Sequence, residues 1–249
     1  MIIRKSQAEI EGMARAGEIV VETLAMIGEE LRSGISMLEL DRLAEEYIRD
    51  RGGAPTSKGY RGYPATLCIS PNAMIVHGIP TEYRAKEGDV ISVDIGVTLD
   101  GLVADSAYTF GVGEISADAE RLLDVCQEAL TAGIEQARVG RHVSDIGHAV
   151  QTVAESAGYS VVREYVGHGI GTAMHEEPQI PNYGPPGRGL KLKEGMVLAI
   201  EPMVNAGGPE TELLPDGWTV VTRDRRRSAH FEHTVAVTAN GPEVLTLPR

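Results

Sequence analysis

Two stretches of this sequence nearly repeat each other: KEGDVISVD at Lys86–Asp94 and KEGMVLAIE at Lys193–Glu201. Each opens with Lys-Glu-Gly and continues as an apolar run, typical of a buried strand, that ends in a carboxylate. Burial of an uncompensated charge is costly, so a carboxylate at the end of such a strand needs a cation beside it. The two matching acids therefore predict a metal site. The repeat itself predicts a chain built from two similar halves.

Composition bounds the size of the core and the classes of partner. The chain has 249 residues, of which 42% are hydrophobic, so it can bury a large core. Its net charge of -13 argues against a specific nucleic-acid partner, because binding to phosphates needs clustered lysines and arginines. The only dense basic run, Arg223–Arg227, is more typical of a solvated turn.

Cysteine usage and hydropathy predict the compartment. Cys68 and Cys126 are too few for a disulfide framework and lack the C-x-x-C spacing of a metal site, which favours a reducing compartment. The first residues lack the long apolar segment of a signal peptide, and no stretch is apolar enough to span a membrane. We therefore expect a soluble cytoplasmic protein with no membrane partner.

Helical periodicity and capping residues predict two pairs of helices. Ser6 and Ser36 open the first pair, and Glu39 would complete a capping box with Ser36. Ser116 and Ser144 open the second pair. The predicted helices run from Ser6 towards Ser33, from Ser36 to near Gly52, from Ser116 through Ala137, and from Ser144 to near Gly158.

Predicted strands follow each pair of helices, so the order helix, helix, strands occurs twice. They are Thr66–Ile69, Val90–Thr98 and Leu102–Gly111, then Val161–Val166, Val197–Val204, Trp218–Thr222 and Phe231–Val237. His-Gly-Ile at His77 recurs at His168, which supports a duplication. We expect a single catalytic domain over residues 1–249, with similar α/β halves of about 1–112 and 113–249. Strands would lie inside and helices outside, with a site where the halves meet.

The predicted hairpin allows a geometric test of the metal site. A two-residue turn at Asp100-Gly101 would place Asp94 across from Ala107. The same register sets Asp105 across from Gly96, so both carboxylates point to one face. As diagonal neighbours they would lie about 7 to 8 Å apart at the backbone. Such side chains could converge on two metal ions, which in dinuclear sites lie about 3.5 to 4 Å apart.

Three further side chains complete a candidate ligand set. Glu201 ends the matching strand of the second half, Glu232 lies on the last strand, and His168 lies in a glycine-rich loop. Four carboxylates and one imidazole suit divalent Mn, Fe or Co, with Zn also accepted. Each acid alone is equally compatible with a polar strand end, but the repeat favours the metal site. His230 shares the predicted face of Glu232, and its role is left undecided.

The glycine-rich segment His168–Pro178 is a poor match to a dinucleotide-binding fingerprint. Thr172 stands where that fingerprint requires its last glycine, and Pro178 would block the following helix. The glycines are better explained by a backbone that passes close to a metal ion. This interpretation presents His175 and Glu176 to a pocket.

Two residues of the first half are also candidates for the pocket. A lone histidine such as His77 is more often structural than catalytic, but its echo with His168 favours a functional role. Cys68 has no cationic neighbour in sequence, so we expect it to line the pocket or the core rather than act as a nucleophile. The sequence contains no G-x-S-x-G, H-E-x-x-H or Walker motif.

Several segments together resemble the type I methionine aminopeptidases, which share the pita-bread fold with prolidases and creatinases. They are Gly59–Pro64, Asn72–Pro80, Asp94–Gly96, Gly167–Gly171, His175–Pro178, Ile200–Met203 and Glu232–Thr234. The resemblance covers nearly the whole chain. It implies an α+β fold with a curved, mainly antiparallel sheet inside, helices outside and two halves related by a pseudo-two-fold axis. The metal ligands of the family fall on Asp94, Asp105, His168, Glu201 and Glu232.

The resemblance also implies roles for residues around the metal ligands. His77 and His175 match the two histidines that contact substrate in the family, and with Glu201, the implied proton shuttle, they form the implied catalytic set. The implied methionine pocket is lined by Tyr60, Tyr63, Cys68 and Trp218. Met174 departs from the family pattern, in which an aromatic residue is common. A thioether can still pack against a thioether, so the implied specificity stands.

The function implied is removal of the N-terminal methionine from peptides and nascent chains, with a small second residue. It would need two divalent ions, Co, Mn, Fe or Zn, and we expect a monomer. Only Arg223–Arg227 hints at transient contact with ribosomal RNA. Two rivals remain open: a proline-specific peptidase of the same fold, whose members usually carry an additional amino-terminal domain, and a metal-free binding module.

Overall fold

The computed structural model describes residues 2–248, and within them the chain forms four α-helices and fifteen short or long strands. The helices are α1 (Gln7–Glu30), α2 (Met37–Asp50), α3 (Ala117–Glu135) and α4 (Val143–Ser156), with a 3-10 turn at Tyr60–Gly62. The strands of the first half are β1 (Ala54–Pro55), β2 (Cys68–Pro71), β3 (Met74–Val76), β4 (Val90–Leu99) and β5 (Leu102–Gly111). Those that follow are β6 (Ser160–Val161), β7 (Gly167–Gly169), β8 (Glu176–Ile180), β9 (Val197–Ile200), β10 (Met203–Asn205), β11 (Thr211–Leu213), β12 (Val220–Thr222), β13 (Ser228–His230), β14 (Glu232–Thr238) and β15 (Gly241–Val244).

Three of the predicted helix caps are confirmed. Ser6 accepts a hydrogen bond from the backbone of Glu9, whose carboxylate accepts one from the Ser6 N–H, which is a complete capping box. Ser36 and Ser116 cap α2 and α3 through their hydroxyl groups. These caps satisfy backbone N–H groups that the first turn of a helix leaves without partners.

Two details of helix capping were predicted wrongly. The Glu39 carboxylate pairs with Arg42 at 2.7 Å, one turn further along α2, whereas a capping box would direct it to the Ser36 backbone. Helix α4 begins two residues earlier than predicted, because its N-cap is His142 rather than Ser144. The His142 N–H donates to the carboxylate of Asp145 at 2.8 Å, so an acid three residues into the helix fixes its start.

Proline and side-chain acceptors shorten several predicted strands. The predicted strand Val197–Val204 is interrupted at Glu201-Pro202, because proline has no N–H for a ladder. Thr66 and Leu67 donate their N–H groups to the Asp41 carboxylate, so β2 begins only at Cys68. In the same way, β12 begins at Val220 rather than at Trp218, because the Asp216 carboxylate accepts hydrogen bonds from the N–H groups of Trp218 and Thr219.

Two other strand predictions also need correction. Of the predicted strand Val161–Val166, only Val161 pairs in a ladder, as the second residue of β6 beside β10. Beyond it, Tyr165 packs edge-on against the ring of His77, with ring centroids 5.7 Å apart. The last predicted strand begins at Glu232 rather than Phe231, because Phe231 separates β13, which pairs with β10, from β14, which pairs with β5 and β9.

The main sheet has nine strands, and every pair in it is antiparallel. Its path is β1-β4-β5-β14-β9-β7-β8, with β2 beside β4 and β15 beside β14. Two three-stranded sheets, β13-β10-β6 and β11-β12-β3, lie outside this path. Apolar side chains of α1 and α2 pack with β4 in one core cluster, and those of α3 and α4 pack with β9 and β14 in another. No helix between residues 2 and 248 combines the length and apolar character of a membrane span.

The near-repeat of sequence is also a repeat of structure. Gly88 and Gly195, the glycines of the two Lys-Glu-Gly turns, have φ of 84° and 82°, a conformation that glycine adopts without steric cost. The Gly88 N–H donates to Val112 beyond the end of β5, and the Gly195 N–H donates to Val237 on β14, both at 2.9 Å. The pair β4-β5 therefore corresponds to the pair β9-β14. A division of the chain near residue 112 stays a prediction.

Candidate metal centre and active site

Five neighbouring strands of the main sheet each bring one predicted metal ligand to the same place. In the order β4, β5, β14, β9 and β7, these ligands are Asp94, Asp105, Glu232, Glu201 and His168, with Glu201 directly following β9. Ala107 on β5 pairs with both Asp94 and Glu232, so residues from three strands lie level across the sheet. The ligands therefore form a row that runs from the first half of the chain to the second.

The hairpin β4-β5 has the register that the Asp-Gly turn predicted. Asp100 and Gly101 both have positive φ, 51° and 79°, as a two-residue turn of this kind requires. Asp94 pairs with Ala107 and Asp105 pairs with Gly96. Because side chains alternate along a strand, both carboxylates point to one face. Both line the same cavity.

The ligand atoms lie close enough together to share metal ions. One atom each of Asp105, His168 and Glu232 lies within 4.8 Å of the other two. His168 Nε2 lies 3.5 Å from Glu201 Oε1. Asp94 Oδ1, Asp105 Oδ1 and Glu232 Oε1 are buried and have no hydrogen-bond partner among residues 2–248. Buried polar atoms rarely remain unpartnered, so these oxygens fit a divalent cation that would bind between them.

Burial and mutual repulsion oppose ionisation of the clustered carboxyl groups when no cation is present. Burial, reinforced by neighbouring carboxylates, raises the pKa of Asp94, Glu201 and Glu232 well above their usual range. Burial raises the pKa of Asp105 to about 7. Like charges in a medium of low polarity cannot all ionise unless an opposite charge is brought in. The chemistry of the cluster therefore matches a site for metal ions.

The surroundings of His168 keep its imidazole in the neutral form that can bind a metal ion. Burial lowers the pKa of its imidazole to about 3, so the ring is uncharged near neutral pH. Its Nδ1 lies 2.9 Å from the carbonyl oxygen of Gly169, which can only accept a hydrogen bond. The proton of the neutral ring therefore sits on Nδ1, and the lone pair of Nε2 faces the carboxylates.

Two further histidines line the cavity. His175 stacks on Tyr60, its Nδ1 lies 3.0 Å from the Tyr60 hydroxyl, and burial followed by the charge of Arg61 lowers its pKa. His77 has φ of 58°, unusual for a residue other than glycine, and burial followed by the proximity of His175 lowers its pKa to about 4. Both rings can therefore donate or accept hydrogen bonds as neutral groups.

The structure brings all the predicted site residues to one cavity of about 130 Å³. Beside the five predicted metal ligands, it is lined by Tyr60, Tyr63, Cys68, His77, Met174, His175 and Trp218. Tyr63 meets Trp218 edge to face at 5.1 Å, and its hydroxyl lies 2.9 Å from the backbone carbonyls of Leu67 and Gly78. Burial raises the pKa of the Cys68 thiol well above its usual range, so it stays protonated, as expected of a pocket residue.

Sequence reasoning missed two residues of the cavity. Ser57 and Arg61 also line it, and the Arg61 guanidinium lies 5.3 Å from the centre of the Tyr60 ring. Arg61 belongs to Gly59–Pro64, one of the segments that carry the resemblance, so the sequence could have predicted that it lies near the cavity. Ser57 carries no comparable signal in the sequence.

Comparison with known proteins identifies the family. The sequence model of metallopeptidase family M24 matches residues 11–239, which is most of the chain. The chain belongs to metallopeptidase family M24. M24 enzymes are hydrolases that use divalent metal ions, and the cluster of Asp105, His168 and Glu232 is consistent with that chemistry.

Similar M24 proteins extend over the full length of this chain. The methionine aminopeptidase of Clostridium perfringens is 53% identical over 99% of both chains, and methionine aminopeptidase 1 of Bacillus subtilis is 50% identical over 99% of both. The crystal structure of the methionine aminopeptidase from Rickettsia prowazekii superposes with a TM-score of 0.98 at 42% identity, covering 99% of this chain and 100% of that one.

Solved structures of lower sequence identity provide evidence about the fold alone. A prolidase from Pyrococcus horikoshii superposes with a TM-score of 0.80 at 22% identity, and the match covers 65% of that chain. Together with the antiparallel main sheet and the helices that cover it, these likenesses confirm the predicted α+β pita-bread fold.

A buried ion pair ties the start of this M24 chain to the loop that carries His175. Lys5 Nζ lies 2.5 Å from Glu176 Oε2, and the two side chains are only 3% and 7% exposed. The other carboxylate oxygen, Oε1, accepts hydrogen bonds from the N–H groups of Thr172 and Ala173. Glu176 therefore stabilises the loop that precedes it and links that loop to the N-terminal segment.

Proposed function

We propose that this M24 metallopeptidase removes the N-terminal methionine from peptides and nascent proteins. The observation that carries the proposal is one small cavity that joins a cluster of metal ligands to apolar side chains. Tyr63, Cys68, Met174 and Trp218 line it beside the carboxylates, and a thioether packs favourably against aromatic rings and sulfur. Full-length relatives that bear the name methionine aminopeptidase support the same assignment.

The proposed metal centre holds two divalent ions, Co, Mn, Fe or Zn. Asp94, Asp105, His168, Glu201 and Glu232 would be the ligands. Charge supports two ions, because four ionised carboxylates carry four negative charges and two divalent cations carry four positive ones. When bound, such ions polarise a peptide carbonyl and lower the pKa of a water molecule to about 7.

Residues of the chain would perform the proton transfers and hold the substrate. Glu201 would take the proton of the attacking water and deliver it to the leaving amine. The Tyr60 hydroxyl would donate a hydrogen bond to His175 Nδ1 and so orient the ring. In that tautomer the proton of the neutral ring lies on Nε2. That N–H can donate to the oxyanion that develops at the scissile carbonyl. His77, which also lines the cavity, would contact the substrate as well.

Other features of the proposal concern specificity and setting. We infer a preference for a small second residue, action as a single catalytic domain and a monomer, and a place in the cytoplasm, where nascent chains are made. A transient ribosome contact would use Arg223–Arg227, which lies in an exposed turn. Arg225 pairs with Glu212 at 2.8 Å, which reduces the net positive charge that the turn presents to a partner.

The proposal is tested by release of free methionine from Met-Ala-Ser. Protein stripped with a chelator is assayed before and after addition of Mn²⁺, Fe²⁺, Co²⁺ or Zn²⁺ separately, with Ala-Pro-Ser as the control peptide. We expect metal-dependent cleavage of the first peptide alone. Preferential cleavage of Ala-Pro-Ser would favour a proline-specific peptidase. Silence on both peptides, with folded protein and no bound metal, would favour a binding module.

Replacing His175 with Ala is expected to lower kcat for Met-Ala-Ser about 100-fold, since the variant loses a hydrogen-bond donor to the oxyanion. KM should change much less, because the apolar pocket stays intact. The matched control is His148→Ala, a histidine on α4 that contacts Gly184 outside the cavity. Equal activity of the two variants would contradict the role given to His175.

A further inference from the structure

One buried histidine of the site has no role in the proposed reaction. His230 ends β13 and is 1% exposed, and neither ring nitrogen has a hydrogen-bond partner among residues 2–248. Its Nε2 lies 3.7 Å from Glu201 Oε2. A buried neutral imidazole carries one N–H donor and one acceptor, and leaving both unpaired is costly. The nearby carboxylate is therefore the partner to consider.

The backbone holds this imidazole in place. Thr109 Oγ1 donates to the carbonyl of His230 at 2.8 Å and accepts from its N–H at 2.9 Å. His230 also pairs with Met203, two residues after Glu201. The ring does not line the cavity. It therefore lies behind Glu201, away from the space that a substrate would occupy.

The two imidazoles beside Glu201 differ in what they can offer. His168 keeps its proton on Nδ1, through the Gly169 carbonyl, so the Nε2 that faces Glu201 Oε1 cannot donate. Within residues 2–248, neither nitrogen of His230 has a hydrogen-bond partner, so its proton can lie on Nε2. Of these two neighbours, His230 alone can supply Glu201 with a hydrogen bond.

We propose that His230 is a positioning residue for Glu201: when Glu201 is ionised, the two side chains close the 3.7 Å between Nε2 and Oε2 to hydrogen-bond distance, and the N–H that Nε2 donates fixes the plane of the carboxylate. This inference rests on the proposed function, in which Glu201 is both a metal ligand and the proton shuttle. A hydrogen bond behind a ligating carboxylate leaves the opposite oxygen directed at the metal. Among residues 2–248, the ion-pair contacts of the Glu201 carboxylate are those with His168 and His230.

The test compares His230→Leu, which keeps bulk but loses the donor, with His230→Gln, which keeps an N–H. Apoprotein of each variant is titrated with Co²⁺ by calorimetry, and kcat and KM are measured on Met-Ala-Ser. We expect the Leu variant to lose about 10- to 100-fold in Co²⁺ affinity or in kcat, with KM nearly unchanged. The Gln variant should recover most of the loss. His233→Gln is the control for general destabilisation, since His233 faces away and contacts Thr246.

Equal losses in the Leu and Gln variants, or wild-type kcat and Co²⁺ affinity in a folded Leu variant, would overturn the inference. The visible spectrum of bound Co²⁺ supplies another readout. We expect the Gln variant to keep the wild-type band positions, whereas a shift would make His230 a ligand and overturn its positioning role. If wild-type protein cleaves neither test peptide, the proposed function fails, while the Co²⁺ affinities still test the hydrogen bond to Glu201.

Discussion

Glu201→Gln is expected to lower kcat for Met-Ala-Ser by about 1000-fold. The substitution keeps the shape of the side chain but removes a charge that would hold metal and accept the proton of the attacking water. Loss of a general base alone typically costs about 100- to 10,000-fold, and loss of ligand charge adds to it. The measurement is steady-state turnover at saturating Mn²⁺ or Co²⁺.

A fold control separates this effect from misfolding. Glu194→Gln, in the exposed Lys-Glu-Gly turn of the same repeat, removes one carboxylate without touching the cavity. It should keep wild-type turnover. In the absence of metal and above about pH 6.5, Glu201→Gln should unfold at a higher temperature than wild-type protein, because it removes a buried carboxyl group that stays protonated in the fold where the unfolded chain releases the proton. A folded Glu201→Gln variant with turnover within about tenfold of wild type would contradict the proton-shuttle role.

The metal-free protein is expected to lose stability as the pH rises above about 6.5. The carboxyl groups of Asp94, Glu201 and Glu232 have pKa values raised well above their usual range, and the pKa of Asp105 is about 7. Between the unfolded and folded pKa values, the folded chain binds protons that the unfolded chain has released. Raised pKa values therefore stabilise the fold at low pH, and this contribution is lost as the pH rises through them.

Below about pH 6.5, buried histidines oppose the pH dependence of stability that the carboxyl groups cause. The lowered pKa values of His77, His168, His230 and His233 mean that these groups destabilise the fold below about pH 6.5, where they are charged only in the unfolded chain. Above that pH the carboxyl groups make the largest contribution, and the buried thiols of Cys68 and Cys126 change stability in the same direction near pH 8.5. If two protons are retained by the cluster, the free energy of unfolding falls by about 5 kcal/mol between about pH 6.5 and about pH 8.5.

The measurement is urea unfolding of chelated protein across this pH range, repeated with saturating Mn²⁺. Metal should flatten the pH dependence, because ligand carboxylates that bind cations are ionised in the folded state. The Asp94→Asn variant, which removes one of the buried carboxyl groups, should show a shallower fall than wild type without metal. A stability that rises with pH above 6.5 in metal-free wild-type protein would contradict the account.

Local sequence was sufficient to predict the first part of the metal site. An Asp-Gly pair between apolar runs determines the turn, the turn determines the register, and the alternation of side chains then places Asp94 and Asp105 on one face. The place of Glu201 followed from the repeat, since Gly88 and Gly195 make equivalent turns. These inferences needed only neighbours in the chain or a direct internal copy.

Features that depend on distant partners could not be predicted in this way. The pairing of Lys5 with Glu176 joins residues 171 positions apart, and nothing in either local sequence selects the other. The position of His230 behind Glu201 depends on the break at Phe231 and on the pairing of β13 with β10. A single sequence contains the residue types for such contacts, but the packing of whole elements decides which of them meet.

The Lys5–Glu176 pair also constrains how this protein can change in evolution. A Cβ atom on Gly171 would fall on the end of the Lys5 side chain, so alanine there would displace the ammonium group from Glu176. Loss of the lysine alone would leave the carboxylate of Glu176 buried without its cation, which is strongly destabilising. A substitution at position 5, 171 or 176 therefore requires compensating substitutions at the other two positions. A lineage that alters the first residues of the chain must at the same time rebuild the loop beside the catalytic cavity.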